Sequence, residues 1–128
     1  MENASNELAL TFQNLGYSRH QKGEYKDACE DYLRSIEINP NNGKTHYLMG
    51  LSLTKLGLYD DAISNLERFV KTYPASKNLD YANYLIAISY YEQILSEEKD
   101  IEPLIKSKEK IEISRMKIRS AQNVGRVW

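Results

Sequence analysis

Apolar residues recur along this chain at the three- and four-residue spacing of amphipathic helices. The two clearest stripes consist of Tyr25, Ala28, Tyr32, Leu33 and Ile36, and of Tyr59, Ala62, Ile63, Leu66, Phe69 and Val70. This spacing places the apolar side chains on one side of each helix, where another element of the fold must cover them. The pattern therefore predicts two similar helices, each with one buried face.

The two helices belong to a longer internal repeat. The stretch GEYKDACEDY begins at Gly23, and GLYDDAISNL begins 34 residues later at Gly57. Overlaying residues 9–42 on residues 43–76 aligns Gly16 with Gly50, Gly23 with Gly57, Tyr25 with Tyr59, Asp27 with Asp61, Ala28 with Ala62, Ile36 with Val70 and Pro40 with Pro74. Glycine in mid-helix allows a second helix to approach closely through small residues, and glycine at a break ends a helix in left-handed backbone. Each unit is therefore predicted to be a pair of helices.

This repeat resembles the tetratricopeptide repeat (TPR), a helix–turn–helix unit with the same period. The resemblance rests on L-G-Y-S at Leu15–Ser18, M-G-L-S at Met49–Ser52, the G-x-Y-x-D-A motif and the closing proline. It implies an all-α fold, a right-handed superhelix of three TPR-type helical hairpins (an α-α superhelix). We expect one TPR domain over residues 1–128, with repeats at 9–42 and 43–76, an irregular third hairpin at 77–122 and a tail at 123–128.

The third hairpin departs from the repeat. Residues 80–94, DYANYLIAISYYEQI, fit a first helix if Ala87 takes the place of the mid-helix glycine, which requires about three extra residues before it. Its partner is predicted within Asp100–Gln122, where Ile111 and Met116 belong to a broken apolar stripe. No G-x-Y-x-D-A motif marks this second helix, so its register stays open.

Residues from about 59 to 112 also resemble the repeats of BamD-type lipoproteins, which help to insert β-barrel proteins into bacterial outer membranes. The shared features are the helix end FVKTYP, the helix LDYANYLIAISYYEQI and the acidic interruption SEEKDIEP. Members of that family begin with a signal and a lipid-modified cysteine and carry more repeats, whereas Cys29 falls within a predicted helix. The chain is therefore a fragment or a hybrid of such a protein, or a different protein built from similar repeats.

Composition and charge fit an ordinary helical protein. Apolar residues make up 41% of the chain and charged residues 27%, and the formal net charge is −1. This balance argues against a global field that would attract nucleic acid or an anionic membrane. The opening MENASNELAL lacks the basic and apolar regions of a signal peptide, and no apolar run approaches the roughly 20 residues that span a bilayer. We expect no membrane insertion.

The sequence offers little chemistry. Cys29 is the only cysteine, which excludes an internal disulfide, and neither it nor His20 or His46 has a neighbour at metal-ligand spacing. Acidic pairs such as Glu30 with Asp31 fall on the polar faces of the predicted helices, which favours a solvated surface over acid–base catalysis. Nucleotide-binding and G-x-S-x-G hydrolase motifs are absent. We predict no enzymatic activity, no metal, no cofactor and no small-molecule substrate.

A lone cysteine fits a reducing compartment, so a cytoplasmic location is expected. If the BamD resemblance reflects function, the location becomes periplasmic and associated with the outer membrane. The same resemblance implies the alternative function, a component of outer-membrane β-barrel protein assembly.

The TPR resemblance implies a binding surface on the concave side of the superhelix. The corresponding residues are Leu10, Gln13, Tyr17, His20 and Gln21 in the first repeat, and Lys44, Tyr47, Leu51, Thr54 and Lys55 in the second. TPR proteins that hold a terminal carboxylate use Lys and Asn where this chain has Gln13 and Tyr17, so no such clamp is implied. The groove is instead aromatic and amide-rich, which suits a mixed polar and apolar peptide or helix of a partner protein. Inter-repeat packing is the alternative role for its tyrosines.

The C-terminal segment is basic. Between Lys106 and Arg126, seven lysines and arginines stand against two glutamates, a local charge of +5 on a chain whose total is −1. Nucleic acid is disfavoured because the segment lacks interleaved aromatic residues. Capping of the acidic repeats and a homodimer through the C-terminal helix stay open, as do three roles for Trp128: folding back into a groove, pairing with a second molecule, or remaining loose.

Overall fold

The computed structural model describes residues 2–96 and 102–124, which form six α-helices. They are α1 (Glu2–Gln21), α2 (Tyr25–Ile38), α3 (Gly43–Leu56), α4 (Tyr59–Thr72), α5 (Leu79–Ser96) and α6 (Glu102–Val124). No strand occurs in these two ranges, so the predicted all-α class is confirmed. The predicted tail from residue 125 onward, including Trp128, and residues 97–101 lie outside the described residues.

The helices pack as a stack of consecutive neighbours. Each helix packs against the next one along the chain, and the odd-numbered helices also touch one another, α1 with α3 and α3 with α5. The curvature of a stack of helical hairpins brings the helices of its inner layer closest together. The odd-numbered helices therefore form the inner layer, and their exposed faces line the concave side.

Glycine ends the first helix of each of the first two hairpins. Gly23 and Gly57 have φ values of 81° and 75°, in the left-handed region. Just beyond them, the backbone N–H of Glu24 donates to the carbonyl of Arg19 at 2.9 Å, and that of Leu58 donates to the carbonyl of Leu53 at 3.0 Å. These bonds satisfy carbonyls that a helix end leaves open. The predicted role of both glycines is confirmed.

The mid-helix glycines sit under large side chains rather than small ones. A Cβ on Gly16 would lie 2.7 Å from the ring of Tyr32, and a Cβ on Gly50 would lie 2.7 Å from Leu66. Ala28 contributes its carbonyl oxygen at 3.1 Å from the Gly16 position. The prediction of close approach is therefore correct, but the space over each glycine is filled by a tyrosine or a leucine from the second helix.

One apolar core runs through the hairpins. Its buried members are Ala28, Tyr32, Tyr47, Leu48, Leu66, Phe69, Ala82 and Leu85. Leu33, predicted to belong to the buried stripe of α2, is instead 48% exposed. The reason is its place on the helix: the equivalent position 34 residues later is the exposed Glu67, so this side of the second helix faces solvent in both hairpins.

The two junctions between hairpins differ in chemistry. At the first, the buried amide oxygen of Gln13 accepts from Thr45 Oγ1 at 2.6 Å and from Asn42 Nδ2 at 3.2 Å. At the second, Tyr47 occupies the position equivalent to Gln13, and its ring lies 4.5 Å from that of Phe69. A buried amide needs partners, whereas a buried ring gains from contact area alone. The first junction is thus held by polar partners and the second by aromatic packing.

Asp31 corrects the expectation of a solvated acidic pair. The residue is 3% exposed, and its Oδ2 lies 3.1 Å from Nη1 of Arg19 on α1. A buried carboxylate requires such a partner because removal from water penalises the charged form. Glu30 is exposed, as predicted.

The third hairpin follows a shifted register. Buried residues Ala82, Leu85 and Ser89 of α5 each lie 37 residues after a buried residue of α3, which places the three extra residues where the sequence requires them. Ala87 itself is exposed at a cleft of about 450 Å³ between α5 and α6. The expectation that Met116 faces the core is wrong, since Met116 is 67% exposed. The α6 helix begins and ends within two residues of the predicted Asp100–Gln122.

Candidate functional site

In the first hairpin, the five predicted groove residues fall into two groups. Leu10 and Tyr17 are 46% and 47% exposed, and the side-chain amide of Gln21 donates to Tyr17 Oη at 2.9 Å. Gln13 is buried in the junction with α3, and His20 is half-buried there. Only the exposed group is free to meet a partner.

The predicted residues of the second hairpin divide in the same way. Lys44 and Lys55 are exposed, Leu51 and Thr54 are half-buried, and Thr54 Oγ1 donates to the carbonyl of Leu51 at 2.7 Å. Tyr47 is buried, with 8% of its surface exposed, and burial raises its pKa to about 12. Inter-repeat packing is therefore the structural role of Tyr47, whereas Tyr17 offers a free ring. Partner binding by this set stays a prediction.

A cleft of about 610 Å³ opens between α3, α5 and α6. We call it the Tyr–Arg cleft; it is lined by Tyr47, Asn78, Tyr81, Tyr84, Leu85, Ile88, Arg115, Ile118 and Arg119. The rings of Tyr81 and Tyr84 stack with centroids 6.0 Å apart. Burial, the largest influence, raises the pKa of Tyr84, while Arg115 and Arg119 act in the opposite direction because cations stabilise the phenolate. Both guanidinium groups thus lie within electrostatic reach of this ring.

A second cleft adjoins the first one. The Lys–Tyr cleft, of about 360 Å³, is lined by Lys44, Tyr47, Leu48, Phe69, Tyr73, Ser76 and Asn78. Tyr47 and Asn78 line both clefts, so the two spaces meet along these side chains. Together they form a groove along the inner side of the second and third hairpins.

Several residues of this groove were missed at the level of the sequence, although part of the signal was present. Tyr81, Tyr84 and Ile88 lie 37 residues after three predicted groove residues of α3, so extending the concave positions through the shifted register identifies them. Arg115 and Arg119 had no such signal, because α6 lacks the repeat motif that would set its register. Their approach to the cleft depends on how α6 packs against α5.

His20 joins the first two hairpins near the concave surface. Its Nδ1 lies 2.7 Å from Ser52 Oγ, and its ring meets that of Tyr25 edge to face with centroids 5.0 Å apart. Burial, and to a smaller extent the charge of Lys55, lowers the pKa of His20 below 6.5. The imidazole is therefore held in its neutral form in the folded protein.

This lowered pKa predicts a loss of stability in mild acid. Between the folded and unfolded pKa values the unfolded chain binds more protons, so the free energy of unfolding falls as the pH drops below 6.5. We expect His20→Gln, which can keep a hydrogen bond to Ser52, to show a smaller fall. Urea unfolding of both proteins between about pH 7.5 and about pH 5.5 measures the difference, and identical pH dependences would contradict it.

Reactive and metal-binding groups are sparse in the described ranges. Burial raises the pKa of the half-buried Cys29 thiol to about 11, which keeps it protonated and poorly nucleophilic at neutral pH. No group of three His, Cys, Asp or Glu residues within residues 2–96 and 102–124 is placed to hold a metal ion. Nor does any helix in these ranges combine the length and apolar character needed to cross a membrane.

Comparison with known proteins connects the chain to one family. Residues 16–114 match the family YfiO, described as an outer membrane lipoprotein. Outer membrane protein assembly factor BamD of Rickettsia prowazekii (strain Madrid E) is 32% identical over 84 residues, which are 63% of this chain and 34% of that protein. A TPR repeat-containing protein of Methanocaldococcus jannaschii is 32% identical over 56 residues, 44% of this chain and 10% of that protein. Both predicted resemblances are confirmed, and the chain spans about a third of the BamD relative's length.

The fold is similar to that of the N-terminal domain of stress-induced protein-1 (STI-1) from C. elegans. The TM-score is 0.62, and the similar region covers 85% of this chain and 98% of that domain at 18% sequence identity. At this identity the similarity concerns the fold alone. It confirms the predicted superhelix of TPR-type helical hairpins.

Proposed function

Since the chain belongs to the YfiO family, described as outer membrane lipoproteins, we propose that it is a non-enzymatic module that binds a segment of a partner polypeptide. The observation that carries this proposal is the Tyr–Arg cleft, which brings stacked tyrosines and two arginines together on the inner side of the stack.

The composition of the cleft suits a polypeptide. Tyrosine and arginine are enriched where protein interfaces derive most of their binding energy, since tyrosine offers a large contact area with few rotatable bonds and a polar tip. Tyr81 is 36% exposed and Tyr84 is half-buried, so both rings are anchored in the fold and still reach the cleft. Anchored side chains lose little conformational entropy when a partner binds.

A second candidate is more specific: a part in outer-membrane protein assembly. The match of residues 16–114 to the YfiO family and the similarity to an outer membrane protein assembly factor favour it. On this proposal the partner is an outer membrane protein on its way to the membrane, and the chain acts in the periplasm. The comparisons offer no support for the cytoplasmic location expected from the single cysteine.

Site-specific photo-crosslinking tests the first proposal and separates it from the second. A photoreactive phenylalanine derivative replaces Tyr81 in the cleft or, as the control, the 48%-exposed Leu33 on the solvent side of α2. We expect light-dependent protein adducts from position 81 and not from position 33 in the native cells. Equal adducts at both positions, or none at position 81, would contradict binding in the cleft. Adducts identified as outer membrane proteins support the assembly role, and other partners exclude it.

A further inference from the structure

We propose that the segment bound in the groove is internal to its partner and carries acidic side chains on both sides of an apolar or aromatic centre. The inference rests on the proposed function and adds to it the chemistry of the partner. It comes from the distribution of charge along the two adjoining clefts.

The groove is positive at both ends. Lys44 stands in the Lys–Tyr cleft, and Arg115 and Arg119 stand in the Tyr–Arg cleft. No aspartate or glutamate lines either space among the described residues. The nearest recorded carboxylate is that of Glu112, 3.6 Å from Arg115 on the exposed side of α6. An exposed pair of this length is weak, so Arg115 can exchange it for a carboxylate of the partner.

The middle of the groove is aromatic and apolar. Tyr47 and Asn78 line both clefts, and the stacked rings of Tyr81 and Tyr84 continue from them toward Arg115. A partner's aromatic or branched apolar side chain can bury its surface against these rings. Charge complementarity at the ends then sets the register of the bound segment.

The shape of the groove favours an internal segment over a chain terminus. Recognition of a terminal carboxylate gathers several donors around a single point. Here the cations are divided between two clefts that meet at Tyr47 and Asn78, so an extended chain can run from one cleft into the other. Single-stranded nucleic acid also combines negative charge with flat rings, but the net charge of −1 disfavours it, and it serves as one outcome of the test.

A random peptide library displayed on phage, selected on the immobilised full chain, tests the inference without a known partner. We expect the selected sequences to be enriched in Asp or Glu on both sides of a Phe, Trp, Tyr or Leu. The double variant Arg115→Gln, Arg119→Gln is expected to lose the acidic enrichment on one side. Lys106→Gln with Lys108→Gln changes the net charge equally, from exposed positions of α6 that line neither cleft, and is expected to retain it.

The best selected peptide, blocked at both ends, is then measured by fluorescence anisotropy. We expect its glutamine analogue to bind the native chain roughly tenfold more weakly, and the arginine double variant to reduce that difference. An unbiased selection, equal affinity of the two peptides, or stronger binding of a single-stranded oligonucleotide would overturn the inference. If the neutral peptides still lose affinity on Tyr84→Ala, the proposed function survives. If no selected peptide depends on Tyr84, the proposed function fails as well.

Discussion

Leu66→Ala is expected to lower the free energy of unfolding by about 2–5 kcal/mol, the range for a buried leucine that leaves a cavity behind. Leu66 is 0% exposed and belongs to the continuous core. It fills the space over Gly50, where the adjacent helix has no side chain of its own. Because α4 packs against helices on both sides, α3 and α5, the cavity has little room to collapse.

Leu33→Ala is the matched control, since it makes the same chemical change on the second helix of the neighbouring hairpin. Leu33 is 48% exposed, so its variant is expected to stay within about 0.5 kcal/mol of the native chain. Urea unfolding at a single pH compares the two variants. A loss for Leu66→Ala no larger than that for Leu33→Ala would contradict the packing of α3 against α4.

Gly16→Ala is expected to destabilise the fold although alanine favours helices. Overpacking a filled core costs about 1–3 kcal/mol, and the better helix propensity of alanine offsets about 1 kcal/mol of it, leaving about 1–2 kcal/mol of lost stability. The new methyl group would lie 2.7 Å from the Tyr32 ring, which is 0% exposed, and 3.1 Å from the carbonyl oxygen of Ala28. A buried ring and a helix backbone cannot move away cheaply.

Gly43→Ala separates this steric effect from helix propensity. Its methyl group would lie 2.6 Å from the ring of Tyr73, but that ring is 41% exposed and can turn toward solvent. We therefore expect Gly43→Ala to be close to neutral. Thermal and urea unfolding of the two variants provide the comparison, and a Gly16→Ala protein as stable as the native chain would show that α1 and α2 are not so closely packed.

Much of the fold could be predicted because its causes are local. The apolar spacing of α2 and α4 and the left-handed glycines Gly23 and Gly57 depend on residues within one or two turns. The interval of 34 residues then predicted the pairing of helices, because each hairpin must cover the apolar face of its neighbour. Part of the groove followed from the same repeat, since Lys44 and Tyr47 occupy concave positions.

Burial at individual positions did not follow from the pattern. Gln13 and Tyr17 are both concave positions of α1, yet Gln13 is buried against Thr45 while Tyr17 is 47% exposed. Asp31 looked like half of a solvated acidic pair and is buried beside Arg19. In each case a residue distant in the sequence provides the partner that decides the outcome.

The sequence by itself determined the helices, their ends and their repeat, because hydrogen bonding and apolar periodicity within a helix are encoded by neighbouring residues. Only the tertiary structure decided which inner-face side chains became core and which became groove. It also brought Arg115 and Arg119 of α6 to the tyrosines of α3 and α5. The physical reason is that charge and burial at a site depend on the packing of several helices, which no single helix specifies.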